Sequence, residues 1–230
     1  ANVGGSLCNQ CREGTFGLSE LNPFGCIECF CSGVTRSCSE GVYYRDEIPI
    51  FIHGETNRFS LTDREENNEL PSQFEANIPE NEINYSFNDD SYIYYWNLPD
   101  RLRGNLILSY GGKLTFTQRT DGTGQYVEDQ DVIVKGNGIT IAHSRSNLEQ
   151  ETYSVKFVET EWQTLQRQGP RPASRADMLT VLSNVDSILI RASIRSYTSS
   201  SGLSDIILEY GVRQSTSLGR IREIEACRCP

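Results

Sequence analysis

The side chains with the greatest chemical potential are eight cysteines, and their spacing divides them into two groups. Cys8-x-x-Cys11 and Cys26-x-x-Cys29 run on through Cys31 and Cys38, and a second cluster, Cys227-x-Cys229, closes the chain. Paired C-x-x-C thiolates can hold a tetrahedral zinc, whereas in an oxidising compartment the same residues form disulfides. A zinc ribbon on Cys8, Cys11, Cys26 and Cys29 would leave Cys31, Cys38, Cys227 and Cys229 without a purpose. Their spacing suits an interleaved disulfide module instead. If the two clusters share one knot, everything between Cys38 and Cys227 is an insertion. Its ends must then lie together, because a disulfide requires Cα atoms within about 7 Å.

Other candidate chemistry is sparse. His53 and His143 are the only histidines, too little material for a Ser-His-Asp or Cys-His centre, so no catalytic residue is assigned and the chain is read as a non-enzyme. His143-Ser144 stands at the end of an expected strand, where polarity at the surface suffices. Asp205, at the start of a strand, is a candidate ligand for a structural calcium. A single aspartate cannot supply the six to eight oxygens that calcium takes, so no cofactor is otherwise expected. Arg167, Arg171 and Arg175 lie on a Pro- and Gly-containing stretch and are candidates for contact with a sulfated glycan. Tyr92, Tyr94 and Tyr95 could form the aromatic platform of a lectin-like site. Asn84-Tyr-Ser86 is an N-glycosylation sequon, expected in an exposed loop.

The composition fits a globular protein, with 37% hydrophobic and 23% charged residues. A net charge of −10 argues against nucleic-acid binding, which needs a basic face, and opposes long-range attraction of polyanions. The charge is uneven: between Asp63 and Asp90 nine carboxylates face Arg64 alone, which reads as a solvated, partly mobile segment. No apolar run is long enough to span a bilayer, so no membrane insertion is expected. No leader pattern opens the chain, and a piece of a longer secreted protein accounts for both that and the cysteines. The piece is expected to be monomeric.

The body between the cysteine clusters reads mainly as strands. Ile48–Ile52, Ser91–Pro99, Asn105–Tyr110, Leu114–Gln118, Thr152–Val158, Ile188–Ile194 and Ser204–Tyr210 are short apolar or alternating runs. Asp131–Lys135, Gly136-Asn137-Gly138 and Ile139–Ala142 form a hairpin pattern. Trp96, Leu114, Phe116, Phe157, Ile188 and Ile190 are the expected core. The one expected helix is Arg175–Ser183, opened by Ser174 and Asp177 in a capping-box arrangement. Many short strands and one helix define a mainly β fold, an antiparallel β-sandwich.

Specific motifs add a family resemblance. Cys11-Arg-Glu-Gly14-Thr-Phe16-Gly17, Gly25-Cys26 and Cys29-Phe-Cys31 resemble the end of one laminin-type EGF-like module and the start of the next. Tyr95-Trp96-Asn-Leu98-Pro99, Leu102-Arg-Gly104-Asn and Leu108-Ser109-Tyr110-Gly111-Gly112 resemble the centre of a laminin IV type A domain. Glu161-Trp162, Arg175–Leu182, Ile188–Ala192 and Glu225-Ala-Cys227-Arg-Cys229-Pro230 continue that likeness. The resemblance implies a jelly-roll-like sandwich over residues 42–223, inserted in an EGF-like module made of residues 29–41 and 224–230, after the end of another module in 1–28. It also implies the bonds Cys11–Cys26, Cys29–Cys38 and Cys31–Cys227, with the partners of Cys8 and Cys229 beyond this stretch of chain. Functionally it implies a secreted, basement-membrane structural module whose partners are other matrix proteins, growth factors or receptors. A glycan-binding sandwich is the alternative.

Overall fold

The computed structural model describes residues 2–53, 58–71, 74–88, 92–167 and 169–228. It divides into two compact units, one of residues 1–46 with 210–230 and one of residues 47–209.

The first unit is built from two-residue and three-residue pairings that could not persist alone. β1 (Val3–Gly4) pairs with β2 (Gln10–Cys11), and β3 (Thr15–Phe16) pairs with β4 (Ile27–Glu28). β5 (Cys38–Glu40) pairs with Glu225–Cys227, so the two ends of the chain meet in one ladder. The start of β6 (Tyr43–Pro49) takes Arg220–Ile221 as its partner.

The second unit is a sandwich. Its first sheet has the order β16-β15-β13-β12-β17-β10-β7. These strands are β7 (Ser60–Thr62), β10 (Tyr95–Asn97), β12 (Val132–Gly136), β13 (Ile139–His143), β15 (Gln163–Leu165), β16 (Arg171–Pro172) and β17 (Val185–Arg191). Its second sheet runs β14-β11-β18-β6, with β9 on β18 and β8 on β9. Here the strands are β8 (Glu75–Asn77), β9 (Glu82–Ser86), β11 (Lys113–Tyr126), β14 (Thr152–Lys156) and β18 (Arg195–Val212). Every pairing recorded within these two sheets is antiparallel.

Alternation builds the space between the sheets. Leu114, Phe116 and Gln118 of β11 point inward and are buried. Thr115 and Thr117 point outward, where their hydroxyls meet Ser154 and Thr152 across the ladder at 3.3 and 3.1 Å. Trp96, fully buried, donates its indole N–H to Ser201 Oγ of the opposite sheet at 3.0 Å. All six expected core residues are buried. β17 does not alternate, because the outer face of its sheet is covered too. There Tyr95, Ile133, Ala142 and Leu189 form a second small apolar cluster.

The hairpin of β12 and β13 turns through Asn137 and Gly138, both at positive φ. Asn137 Nδ2 donates to Thr180 O at 2.8 Å, so the turn also caps helix α1 (Arg175–Ser183). Gly136 is required at that junction, since a Cβ there would stand 2.5 Å from the carbonyl oxygens of Val181 and Asn184. The start of α1 is the expected capping box: Ser174 Oγ accepts from Asp177 N–H, and Asp177 accepts from Ser174 N–H.

Two expectations are corrected here. Asn105–Tyr110 is not a strand: Ile107–Ser109 forms a 3-10 turn, with Asn105 Oδ1 accepting from Ile107 N–H. The acidic stretch is also more ordered than its composition suggests. Glu66 accepts from Ser187 Oγ at 2.7 Å and pairs with Lys135 at 2.8 Å, while Glu82 is buried and pairs with Arg119. Asp89 and Asp90 lie outside the described residues.

Candidate functional site

The cysteines organise the first unit. Cys11 is bonded to Cys26, Cys29 to Cys38 and Cys31 to Cys227, with S–S lengths of 2.02, 1.98 and 2.02 Å. These bonds divide Cys11, Cys26 and Cys29 between two bridges, so no four-thiolate centre forms on them. Cys8 is exposed and unbonded, and Cys229 lies outside the described residues. A second clamp reinforces the long bond. The Glu225 carboxylate accepts from the backbone N–H groups of Phe30 at 2.8 Å and Cys31 at 2.6 Å. Cys31 and Ser32 have positive φ, so the chain turns sharply at this grip. Glu225 was legible only as a family position; its role depends on a contact across 194 residues of sequence. Among the described residues, the group Cys31, Glu225 and Cys227 is the one cluster of ligand-type atoms close enough to hold a metal, and both its sulfurs are in the disulfide.

The three candidate arginines do not form a free basic loop. Arg171 grips Asp177 through two hydrogen bonds of 2.8 and 2.9 Å. The Arg171 guanidinium, with Ser174, holds the Asp177 carboxyl well below the usual carboxylate range despite partial burial. Arg175 lies over the Tyr110 ring at 5.3 Å, and Arg167 is exposed. Burial, and then the neighbouring Glu159 carboxylate, push the Tyr110 hydroxyl up.

The tyrosines separate in the same way. Tyr92 is 70% exposed, but Tyr94 and Tyr95 are only 8% and 1% exposed. Tyr95 belongs to the outer apolar cluster and donates its hydroxyl to Gln130 O at 3.2 Å. These residues edge a cleft of about 630 Å³ opposite Asp63, Arg64, Glu65 and Asn68. Arg64 is paired with Asp129. Burial pushes the Asp63 pKa up, but the hydrogen bonds its carboxylate accepts from Asn68 Nδ2 and Asn67 N–H together outweigh that and leave it lowered. Tyr92, Tyr94 and Tyr95 do not form a flat platform of three exposed rings; the exposed Tyr92 ring stands beside a polar wall.

The remaining candidates are structural in their contacts. Asp205 sits at a β-bulge in β18, at φ 50, where the pairing with β11 shifts register. Aspartate tolerates that left-handed conformation, which explains the residue type without a metal. Asn84 is not in a loop. It lies half-buried within β9, opposite Gly202 of β18 and Glu75 of β8. A Cβ on Gly202 would come 2.2 Å from Asn84 Oδ1, so the missing side chain makes room for the asparagine. His143 lies 2.7 Å from Glu161 O through Nδ1 and 2.8 Å from the Tyr153 hydroxyl through Nε2, tying two strands to a turn.

Sequence reading missed a fully buried charged group. Arg191 is fully buried and Asp131 nearly so, with Arg191 Nη2 2.9 Å from Asp131 Oδ1. Arg145 reaches the same oxygen at 3.5 Å through Nε, donates its backbone N–H to Asp131 Oδ2 at 2.6 Å, and donates from Nη2 to Gln118 Oε1 at 2.8 Å. Its guanidinium also lies over the Phe116 and Tyr153 rings. Burial, and after it repulsion from Arg191, lower the pKa of Arg145, against the attraction of Asp131. The only signal in the sequence was the interruption of the apolar run Ile188-Leu-Ile by Arg191.

The architecture therefore defines a class: an antiparallel β-sandwich that lies in sequence between the two parts of a disulfide-held unit. Comparison with known proteins narrows it. The family model described as Laminin B (Domain IV) matches residues 95–225, and the chain belongs to that family. The basement membrane-specific heparan sulfate proteoglycan core protein of Mus musculus is 34% identical over the whole chain, which covers 6% of that protein. The basement membrane proteoglycan of Caenorhabditis elegans is 32% identical and laminin subunit alpha-1 of Homo sapiens 30% identical, again over the whole chain. The chain spans 7% and 8% of those two proteins. Among solved structures, the L4b domain of human laminin alpha-2 superposes with a TM-score of 0.58 at 19% identity, covering 71% of this chain and 96% of that one. That likeness supports the sandwich fold.

Proposed function

We propose that the chain is a non-catalytic structural and interaction module of a secreted basement-membrane protein, acting as a rigid spacer that presents protein-binding surfaces. The carrying observation is family membership joined to the architecture: a cysteine-free sandwich lies in sequence between the two parts of a cysteine-held unit. On this reading the first unit corresponds to laminin-type EGF-like pieces, and Cys8 and Cys229 bond to residues of neighbouring modules. The partners are other matrix proteins, growth factors or receptors. The glycan-binding alternative loses support from the burial of Tyr94 and Tyr95. A surface-plasmon-resonance screen of the folded chain against matrix proteins, growth factors and glycans tests the reading. Saturable binding to a matrix protein is expected; binding confined to glycans would overturn it in favour of the lectin reading. Asn84 is proposed as a glycan acceptor on the face of β9. Treatment of secreted material with a peptide-N-glycosidase should reduce its mass, and no change in mass would remove the assignment.

A further inference from the structure

A basic cluster stands in the open on the sandwich unit. Phe51, His53, Arg58, Pro99, Asp100 and Arg101 line a cleft of about 320 Å³. Both of its walls are held from below. Ile50 and Ile52 are buried, and their N–H groups donate to Ile206 O at 2.9 Å and Asn81 Oδ1 at 2.7 Å. Phe51, between them, projects outward and is 55% exposed. On the other wall, Pro99 leads from β10 into a 3-10 turn, Asp100–Leu102. Leu102 is buried, and Gly104 N–H ties the end of the turn to Val185 O at 2.8 Å. Asp100, Arg101 and Arg103 are left on the exposed side.

The local charge is the reverse of that of the whole chain. Asp100 pairs with Arg58 at 2.5 Å and with Arg103 at 3.1 Å. Those two guanidiniums, Arg58 first, hold the Asp100 carboxyl below its usual range, so it is ionised at neutral pH. Arg101 has no carboxylate partner among the described residues. Three guanidiniums therefore stand around one carboxylate, an excess of two positive charges in a chain of net charge −10. The Arg58 side chain is 79% exposed, so the donors face solvent. Glu66, beyond Asn97, is committed to Lys135 and Ser187. Glu55 lies outside the described residues.

We propose that this cleft docks a short acidic segment of a partner protein, whose carboxylates meet Arg58 and Arg101 while an adjoining apolar side chain packs on Phe51. A guanidinium presents a planar fork that matches a carboxylate, and the exposed ring supplies apolar area beside it. Two neighbouring acidic side chains bring the cluster to neutrality. A long sulfated polyanion fits less well. Its charges run past a cleft of this size onto the acidic remainder of the surface, where repulsion acts over a Debye length of about 8 Å. That the acid belongs to a protein rests on the protein-binding reading above; the basic cleft itself does not.

The test titrates the folded chain with an acetylated peptide amide in which two glutamates are flanked by leucines, and with the same peptide carrying glutamines instead. Amide shifts of residues 50–53 and 100–104 report binding. Saturable shifts are expected with the glutamate peptide only, and the affinity should fall as sodium chloride rises. Arg101→Gln should weaken binding by about fivefold, the scale of one exposed ion pair. Arg101→Glu should abolish it, and Asp100→Asn, which removes the acid from the lining, should tighten it. Arg167→Gln makes the same charge change at an exposed arginine that does not line the cleft, and should leave binding unaltered. These substitutions are all at exposed positions, so the fold is retained in each. Absence of glutamate-dependent shifts would overturn the site, as would equal weakening by Arg167→Gln. Binding that appears only in Glu55→Gln would also overturn it, because the chain would then fill the cleft with its own acid. A heparin tetrasaccharide that binds more tightly than the peptide, and is lost in Arg101→Glu, would replace the protein partner by a sulfated glycan. If the peptide binds but no matrix protein binds the chain, the site stands and the protein-partner reading falls. If a matrix protein binds and Arg101→Glu does not weaken it, that reading stands and the site falls.

Discussion

Residues 1–46 with 210–230 and residues 47–209 reach order by different means. Among the described residues, the first unit buries only Phe16, Cys26, Cys31, Ile221 and Ile224 of its apolar side chains, and it holds every cysteine. The second has no cysteine and contains the remaining buried apolar residues, from Ile50 to Leu208. A unit with so little apolar area to remove from water cannot offset its chain entropy by burial, so covalent closure must restrict the unfolded ensemble instead. The sandwich can offset it, and its exceptional cost lies elsewhere, in three charged groups buried at one end of the sheets. Covalent closure carries the small unit, and packing carries the large one.

That contrast can be broken at the core. Trp96→Ala should destabilise the sandwich by roughly 3–5 kcal/mol, since it removes a fully buried ring and its bond to Ser201. Urea unfolding followed by circular dichroism measures it, and a loss below about 1 kcal/mol would mean that packing is not what holds this unit. Asp131→Ala should cost about 3 kcal/mol or somewhat more, because it leaves two buried guanidiniums without a counter-charge. The same change with Arg145→Met and Arg191→Met should recover much of that loss; failure to recover would show that packing rather than charge set the cost.

A smaller effect sharpens the picture at the helix. The folded pKa of Asp177 lies below its unfolded value, so its contribution is present above about pH 4 and is lost as pH falls through the folded pKa. Asp177→Asn should reduce stability at pH 7 by about 1 kcal/mol, the usual worth of a cap, and should flatten the acid limb of stability against pH. Melts from pH 7 to 2 report both, and an unaltered acid limb would assign that limb to other carboxylates.

How much of this was legible follows from how local each determinant is. The helix, its capping box and the Asn137-Gly138 hairpin are set by residues within a few positions, and each appears where the sequence puts it. The alternation of β11 and β14 likewise reads directly from Leu114, Phe116 and Val155. Asn105–Tyr110 failed because an apolar run of that length fits a strand or a turn equally, and the Asn105 side chain selects the turn. Asn84 failed because a sequon states chemistry, not conformation. Its place in a strand depends on Gly202, more than a hundred residues away. The Asp131, Arg145 and Arg191 set, like the Glu225 clamp, joins residues far apart in sequence, and no spacing rule encodes such a meeting. For the cysteines, spacing alone leaves several pairings open, and only the family resemblance selected among them.

The most direct test of the central contrast is the double substitution Cys31→Ser with Cys227→Ser. It removes the bond that joins Cys31 of the N-terminal cysteine cluster to Cys227 of the C-terminal one. The sandwich should keep its β-sheet circular dichroism and unfold within about 1 kcal/mol of the unsubstituted chain, while limited proteolysis should gain cleavage between Ser39 and Arg45. Loss of the β-sheet signal at 25 °C would contradict the claim that packing alone sustains residues 47–209. An unchanged digestion pattern would contradict the claim that covalent closure sustains the other unit.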